Sequence, residues 1–251
     1  MDIQVRPAAF EEVRGLRDLF RQEANCQIIH DSLLGRALAD AYLILMNGRV
    51  AGYAAVGNTY PKGQLTEFYT LPPTRAALLP MLREVLAVSE ATRIEAQTNI
   101  PWMLSLLYDC ATNIRSEALL FEDVVTTHHL MPQAVFRPAT PDDAHAIFEH
   151  YCEPVGDWLL LVEDVIVATG GFLSHYNPPY GDIYMEVTES ARRQGFGSYL
   201  VQELKRVSYE AGKKPAARCN DPSDGISRRT LQKAGMLVCG RLLVGEVDPA
   251  F

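Results

Sequence analysis

The sequence has little of what would tie it to a membrane, a polyanion or a disulfide scaffold. Its densest apolar stretches, 159–162 and 165–168, are short and are separated by Glu163 and Asp164, far below the roughly 20 residues of a transmembrane helix. Positive charge is in the minority: 31 acidic residues against 23 basic give a net charge of −8, the wrong sign for a chain whose main partner is a nucleic acid. Five cysteines, Cys26, Cys110, Cys152, Cys219 and Cys239, stand singly. With no Cys-x-x-Cys pair they offer neither a zinc site nor a redox couple, and they read as reduced thiols. The adjacent His128 and His129 have no companion ligands and would point to opposite faces of a strand, so no metal site is expected. No basic leader followed by an apolar stretch opens the chain, so no signal peptide is expected and the cytoplasm is the default compartment.

What is present suits ordinary folding. Hydrophobic residues make up 48% and charged residues 22% of 251 residues, enough for one large domain or two small ones. An internal repeat favours two. Val5-Arg6-Pro7-Ala8 reappears as Phe136-Arg137-Pro138-Ala139. Each copy is followed by a helical pattern, on Phe10, Val13, Leu16 and Phe20 in the first and on Ala144, Ile147, Phe148 and Tyr151 in the second. Strands are then expected at 42–46, 50–57 and 65–71 with a helix at 76–87, and again at 158–162, 165–175 and 182–187 with a helix at 194–211. Asn47-Gly48 and Glu163-Asp164 make the corresponding hairpin turns. Two α/β units are therefore expected, residues 1–131 and 132–251.

The chemistry concentrates in the second unit. The strand ending at Val187 runs through Arg192, Arg193, Gln194, Gly195, Phe196, Gly197 and Ser198 into a helix with Phe196, Leu200, Leu204 and Val207 on one face. A strand, a glycine loop and a helix N-terminus present unpaired amides to an anion. Glycines at 195 and 197 would leave the approach to the backbone open, with Arg192 and Arg193 adding charge at the rim. A triphosphate loop would need Gly-Lys-Ser/Thr, and a dinucleotide loop would need a third glycine where Leu200 stands. Arg-x-x-Gly-x-Gly remains, and it resembles the acyl-CoA pyrophosphate loop of the GNAT N-acetyltransferase superfamily. The segment from Asp224 to Met236, capped by Asp224 and stopped by Gly235, is similar to that family's fourth-helix signature.

The resemblance implies tandem GNAT-like domains of mixed α/β class, in which the third and fourth strands after the first helices splay apart to hold the acyl-CoA. It implies that acetyl-CoA is bound by the amides of residues 193–198, with main chain at Val187 pairing with the pantetheine arm and Ser227 flanking it. The reaction implied is direct attack of an amine on the thioester, a main-chain N–H near Val187 stabilising the oxyanion, with no covalent enzyme intermediate. Cys219, in an apolar strand with no histidine nearby in sequence, reads as a buried thiol and not a nucleophile. A protonated amine must lose its proton, and the polar side of the strand, Asp182, Tyr184 and Glu186, supplies Glu186 as first candidate base with Asp182 behind it. His175 and Tyr176 are expected at the substrate mouth. Many members carry a tyrosine as general acid where this chain has Leu231, so the acid is unassigned.

The first unit has prolines and no glycine at the corresponding loop, Pro72-Pro73-Thr74-Arg75, a poor phosphate socket. It is expected to be a degenerate copy that packs beside the catalytic one, with Trp102, Tyr108 and 103–107 as core or seam. The expected partner is a small-molecule or peptide amine, with neither nucleic acid nor membrane, and the chain is expected to be a monomer, a homodimer being the alternative. A non-catalytic acyl-CoA sensor is the competing function.

Overall fold

The computed structural model describes residues 1–23, 31–147, 149–150, 153–154, 156–174, 179–220 and 225–251. In chain order the elements begin β1 (Ile3–Ala8), α1 (Phe10–Glu23), α2 (Asp31–Gly35), β2 (Ala39–Met46), β3 (Arg49–Gly57), β4 (Gln64–Thr70), α3 (Leu78–Ser89), β5 (Arg93–Gln97), α4 (Pro101–Cys110) and β6 (Ala111–Asp123). There follow β7 (Ala134–Pro138), β8 (Glu149–His150), β9 (Glu153–Pro154), β10 (Trp158–Val162), β11 (Val165–Leu173), β12 (Tyr180–Val187), α5 (Phe196–Glu210), β13 (Lys214–Asn220), α6 (Gly225–Lys233) and β14 (Met236–Val247). Among the described residues no helix is long and apolar enough to cross a membrane.

The chain divides into two compact units, but not by a single cut. Unit 1 is Met1–Glu117 with Gly240–Phe251, and unit 2 is Ala118–Cys239. Where the repeat suggested one boundary at 131/132, the chain is cut twice. The reason is strand pairing: the end of β14 bonds to β5, Leu242 opposite Gln97, whereas residues 118–122 of β6 bond to β13.

Unit 1 orders its strands β1-β2-β3-β4-β5-β14. Val13, Leu16 and Phe20 of α1 and Met81, Leu82 and Val85 of α3 are buried in its core, as their 3.6-residue spacing requires. Trp102 packs against the same core, while Tyr108 is 66% exposed and belongs to no core. Arg17 of α1 is sunk in this unit, its guanidinium forked onto Glu67 at 2.8 and 2.9 Å with the Tyr53 hydroxyl donating to the same carboxylate at 2.7 Å.

Unit 2 orders its strands β6-β13-β12-β11-β10-β7. The core lies between this sheet and α5: Phe196, Leu200, Leu204 and Val207 meet Ile183, Leu160, Ala168 and Cys219. Cys219 is thus a buried core thiol. Asn47 and Gly48 of the first hairpin, and Glu163 and Asp164 of the second, all take positive φ, the geometry of a twisted two-residue hairpin turn.

The repeat survives in detail. Arg6 bonds to the Pro7 carbonyl and to Glu12, which accepts from the Ala9 amide; Arg137 bonds to the Pro138 carbonyl and to Asp143, which accepts from the Thr140 amide. The described residues do not carry the helix expected after the second copy. Among the described residues the chain makes a 3-10 turn, Pro141–Ala146, and then the short β8 and β9; Phe148 and Tyr151 lie outside the described residues. Ile147 is already extended at ψ 133, and Pro154 bars a helix from continuing.

Candidate active site

The site of unit 2 begins where two strands part. β12 pairs in parallel with β13 at Tyr180–Lys214, Gly181–Pro215 and Asp182–Ala216, and the pairing ends there. β12 keeps its other neighbour, β11, as far as Val187. The free edge of β12 from Ile183 onward therefore carries main-chain groups that no strand satisfies, the edge on which an extended amide chain can add like a strand. The alternation along β12 is as expected: Ile183, Met185 and Val187 pack toward α5, and Asp182, Tyr184 and Glu186 occupy the other face.

Beyond Val187 the chain passes through a 3-10 turn, Glu189–Ala191, and enters the loop. Arg193 at φ 64 and Gly195 at φ 91 are both left-handed, a backbone alternation that turns successive amides toward one concavity. Gly195 is the N-cap of α5 and no side chain caps the helix. The first amide of this run to find a backbone acceptor is that of Tyr199, on the Gly195 carbonyl at 3.1 Å. Among the described residues the amides of 193–198 have none, and residues 192–195 are exposed. The Ser198 hydroxyl turns back onto the Gly195 carbonyl at 3.0 Å, leaving its amide free.

The two glycines have different duties. Gly195 is needed for its conformation: a Cβ there would meet only Met131 Cε at 3.5 Å. Gly197 is needed for packing, since its Cβ would stand 2.8 Å from Met185 Cε and 3.0 Å from Thr230 Cγ2. It points into the seam between α5, β12 and α6 and not toward an incoming anion, which corrects the expectation that both glycines clear the anion's approach. Arg192 also differs from expectation. Its Nε donates to the Val187 carbonyl at 3.2 Å and its guanidinium lies 3.7 Å from Glu186, so it braces the loop against the strand; Arg193 stays exposed.

Asp182 sits at the apex of the divergence. Burial pushes its carboxyl up to about 6, against the opposing pull of Arg218 on β13. Tyr184 is pushed to about 12 by burial and then by Asp157. Leu231 is buried in the core, so the position left without an acid holds a covered apolar side chain. Gly235, at φ 88, ends α6 as read. Ser227 lies on α6, whose Thr230 abuts Gly197. His175, Tyr176 and Asp224 lie outside the described residues. His128 and His129 line a recess of about 520 Å³ beside α5 with Met131, Tyr199 and Gln202, His129 being held to the Lys233 carbonyl at 2.8 Å and by its amide to Gln202.

Unit 1 repeats the geometry without the socket. β4 pairs with β5 only at Gln64–Arg93 and Leu65–Ile94. After β4 the Leu71 amide bonds to Ala51 and the Thr74 amide to Leu71, as Thr188 bonds to Val167 and Ala191 to Thr188 in unit 2. Arg75 then matches Arg192, donating to the Thr70 carbonyl at 3.3 Å. Here the arginine is locked: it pairs with Glu23 and lies over the rings of Tyr69 and Trp102 at 5.8 and 5.5 Å. Trp102 packs against Phe20 and Phe68, so an indole fills the wedge beside β4.

Comparison with known proteins agrees with this geometry. A model of the Acetyltransferase (GNAT) family matches residues 123–236, and one of the Acetyltransferase (GNAT) domain matches residues 11–124. The chain belongs to the GNAT acetyltransferase family and consists of two GNAT domains in tandem. Its chemistry is accordingly acyl transfer from an acyl-CoA. A GNAT-family acetyltransferase from Colwellia psychrerythraea is similar in structure, with TM-score 0.79 at 13% identity over 99% of this chain and 100% of that one. A tandem GNAT protein from the clavulanic acid biosynthesis pathway gives 0.63 at 12% identity over 99% of each, and a GCN5-related N-acetyltransferase from Sphaerobacter thermophilus 0.57 at 17% over 98% and 96%. At such identities the likeness concerns the fold. No curated protein matches the chain.

Proposed function

We propose that unit 2 transfers an acetyl group from acetyl-CoA to an amine, while unit 1 is a GNAT domain that has lost its cofactor socket. One observation carries this reading: a diverging strand pair leads directly into a left-handed glycine loop whose amides at 193–198 have no backbone acceptor among the described residues. The residues fit the cofactor's two ends, the loop taking the diphosphate and the free edge of β12 taking the pantetheine amides. Charge-assisted hydrogen bonds of about 1.5–3 kcal/mol each would hold the phosphates. Acetyl-CoA supplies the activated acyl group.

The length of the arm ranks the candidate bases. About thirteen bonds separate the second phosphorus from the sulfur, roughly 15 Å when extended at the advance per bond of an extended chain. At about 3.3 Å per residue that is four to five residues of strand, which carries the thioester from the loop to the level of Asp182 and Ile183. Glu186 lies beside the diphosphate end and faces Arg192; Asp182 is level with the reacting carbon. Asp182 is therefore the preferred base, accepting the ammonium proton directly or through one water, and Glu186 supports the loop. By the same measure Val187 meets the near end of the arm, and main-chain N–H groups closer to Ile183 face the developing oxyanion. The nitrogen sheds its second proton to water as the amide forms, and the leaving thiolate, with an ordinary thiol pKa, takes a proton from water.

Thiol release from acetyl-CoA, followed across a panel of primary amines together with calorimetric binding, tests the reading. Turnover supports it. Binding without turnover would leave an acyl-CoA sensor, and absence of binding would remove both.

A further inference from the structure

The face of unit 2 turned away from α5 carries groups that acyl-CoA binding does not use. Tyr184 stands opposite Gly171 in the β11–β12 register, and no side chain at 171 holds the ring off the sheet. A Cβ there would lie 2.5 Å from the Tyr184 hydroxyl and 2.9 Å from Asp157 Oδ2. The ring thus lies across β11, and its hydroxyl donates to Asp157 at 3.4 Å and accepts main-chain hydrogen bonds from residues 156 and 157. Asp157 is exposed. An aromatic face set between carboxylates is the chemistry that recognises ammonium groups.

The spacing is that of a chain with two cations. Asp182 lies two residues from Tyr184 along β12, and Asp157 lies two strands across, which separates the two positions by roughly 12 Å. The Tyr184 ring between them is a floor for methylenes. Resting on the transferase reading above, we propose that the acceptor is a linear di- or polyamine, its reacting amine at Asp182 and its second ammonium group between the Tyr184 ring and Asp157.

The test compares α,ω-diamines of increasing length with 1-alkylamines of equal length, using acetyl-CoA and the full chain. Nitrogens roughly 12 Å apart correspond to about eight to ten methylenes. At that length the diamine should exceed its monoamine by about tenfold in kcat/KM, through KM. Asp157→Asn should bring the ratio close to one. Asp157→Glu, which keeps the charge one methylene further out, should retain a preference and move its optimum to shorter diamines. Good turnover of monoamines with no diamine preference, or a preference unchanged in Asp157→Asn, overturns this proposal alone. Acetyl-CoA binding without turnover of any amine overturns the transferase reading, and this proposal with it.

Discussion

Replacing Gly195 with aspartate challenges the glycine loop by charge more than by shape. At φ 91 the residue needs a left-handed backbone, which aspartate tolerates better than most side chains, at a cost of about 1–2 kcal/mol. The nearest neighbour of the new Cβ is Met131 Cε at 3.5 Å, an ordinary contact, so the fold is expected to survive. The new carboxylate stands at the N-cap of α5, about 5 Å from an anion cradled by the loop. At an effective dielectric near 20, each pair of unit charges repels by about 3 kcal/mol at that distance. Screening at an exposed loop roughly halves that figure, but a diphosphate carries more than one charge. The net loss is about 3 kcal/mol, or about a hundredfold in acetyl-CoA affinity. Calorimetry measures it, with thermal unfolding confirming the fold. Gly195→Asn has the same shape without the charge and should lose markedly less. An aspartate variant that folds normally and binds acetyl-CoA within about threefold of the parent, a difference of about 0.6 kcal/mol, would refute the placement of the diphosphate.

Other consequences follow from the same geometry. Asp182 accepts a proton only when ionised, and burial pushes its carboxyl up to about 6 in the free protein, so kcat/KM should climb as pH rises through about 6; Asp182→Asn should remove that limb and lower kcat/KM about a hundredfold, read from pH–rate profiles. Arg17→Ala leaves Glu67 buried and unpaired and should cost about 3–5 kcal/mol in denaturant unfolding, whereas replacing both partners with apolar residues should cost far less. Leu231→Tyr puts a hydroxyl and extra volume into the core; it should destabilise by about 1–3 kcal/mol without raising kcat, and a gain in rate would show that the position faces the cleft after all.

How far the sequence reaches depends on whether the relevant physics is local. The hairpins at Asn47-Gly48 and Glu163-Asp164, the amphipathic α1 and α5, and the alternation of Asp182, Tyr184 and Glu186 are set by neighbours within a few residues, and all were legible. So was the glycine loop, because positive φ at Gly195 is a demand of the chain on itself. Gly197 looked like a second phosphate glycine, yet its reason lies in Met185 and Thr230, residues 12 and 33 positions away. The helix that the described residues of unit 2 lack leaves a trace in spacing: 69 residues separate Arg6 from Arg75, but 55 separate Arg137 from Arg192. The shortfall equals the 14 residues of α1, a signal that comparing the two copies could have found.

By itself the sequence determined that this chain is built twice from one α/β pattern and that only the second copy has a glycine loop at the start of the helix after its third strand, because glycine, proline and side-chain periodicity act over a few bonds. Only the tertiary structure decided which strand ends each unit takes up, that Trp102 and Arg75 pack together beside β4, and that Asp182 stands where β12 and β13 part. Those outcomes depend on which distant segments share a sheet edge or a buried volume, and pairing and packing between residues far apart in the chain leave no pattern in any short stretch of it.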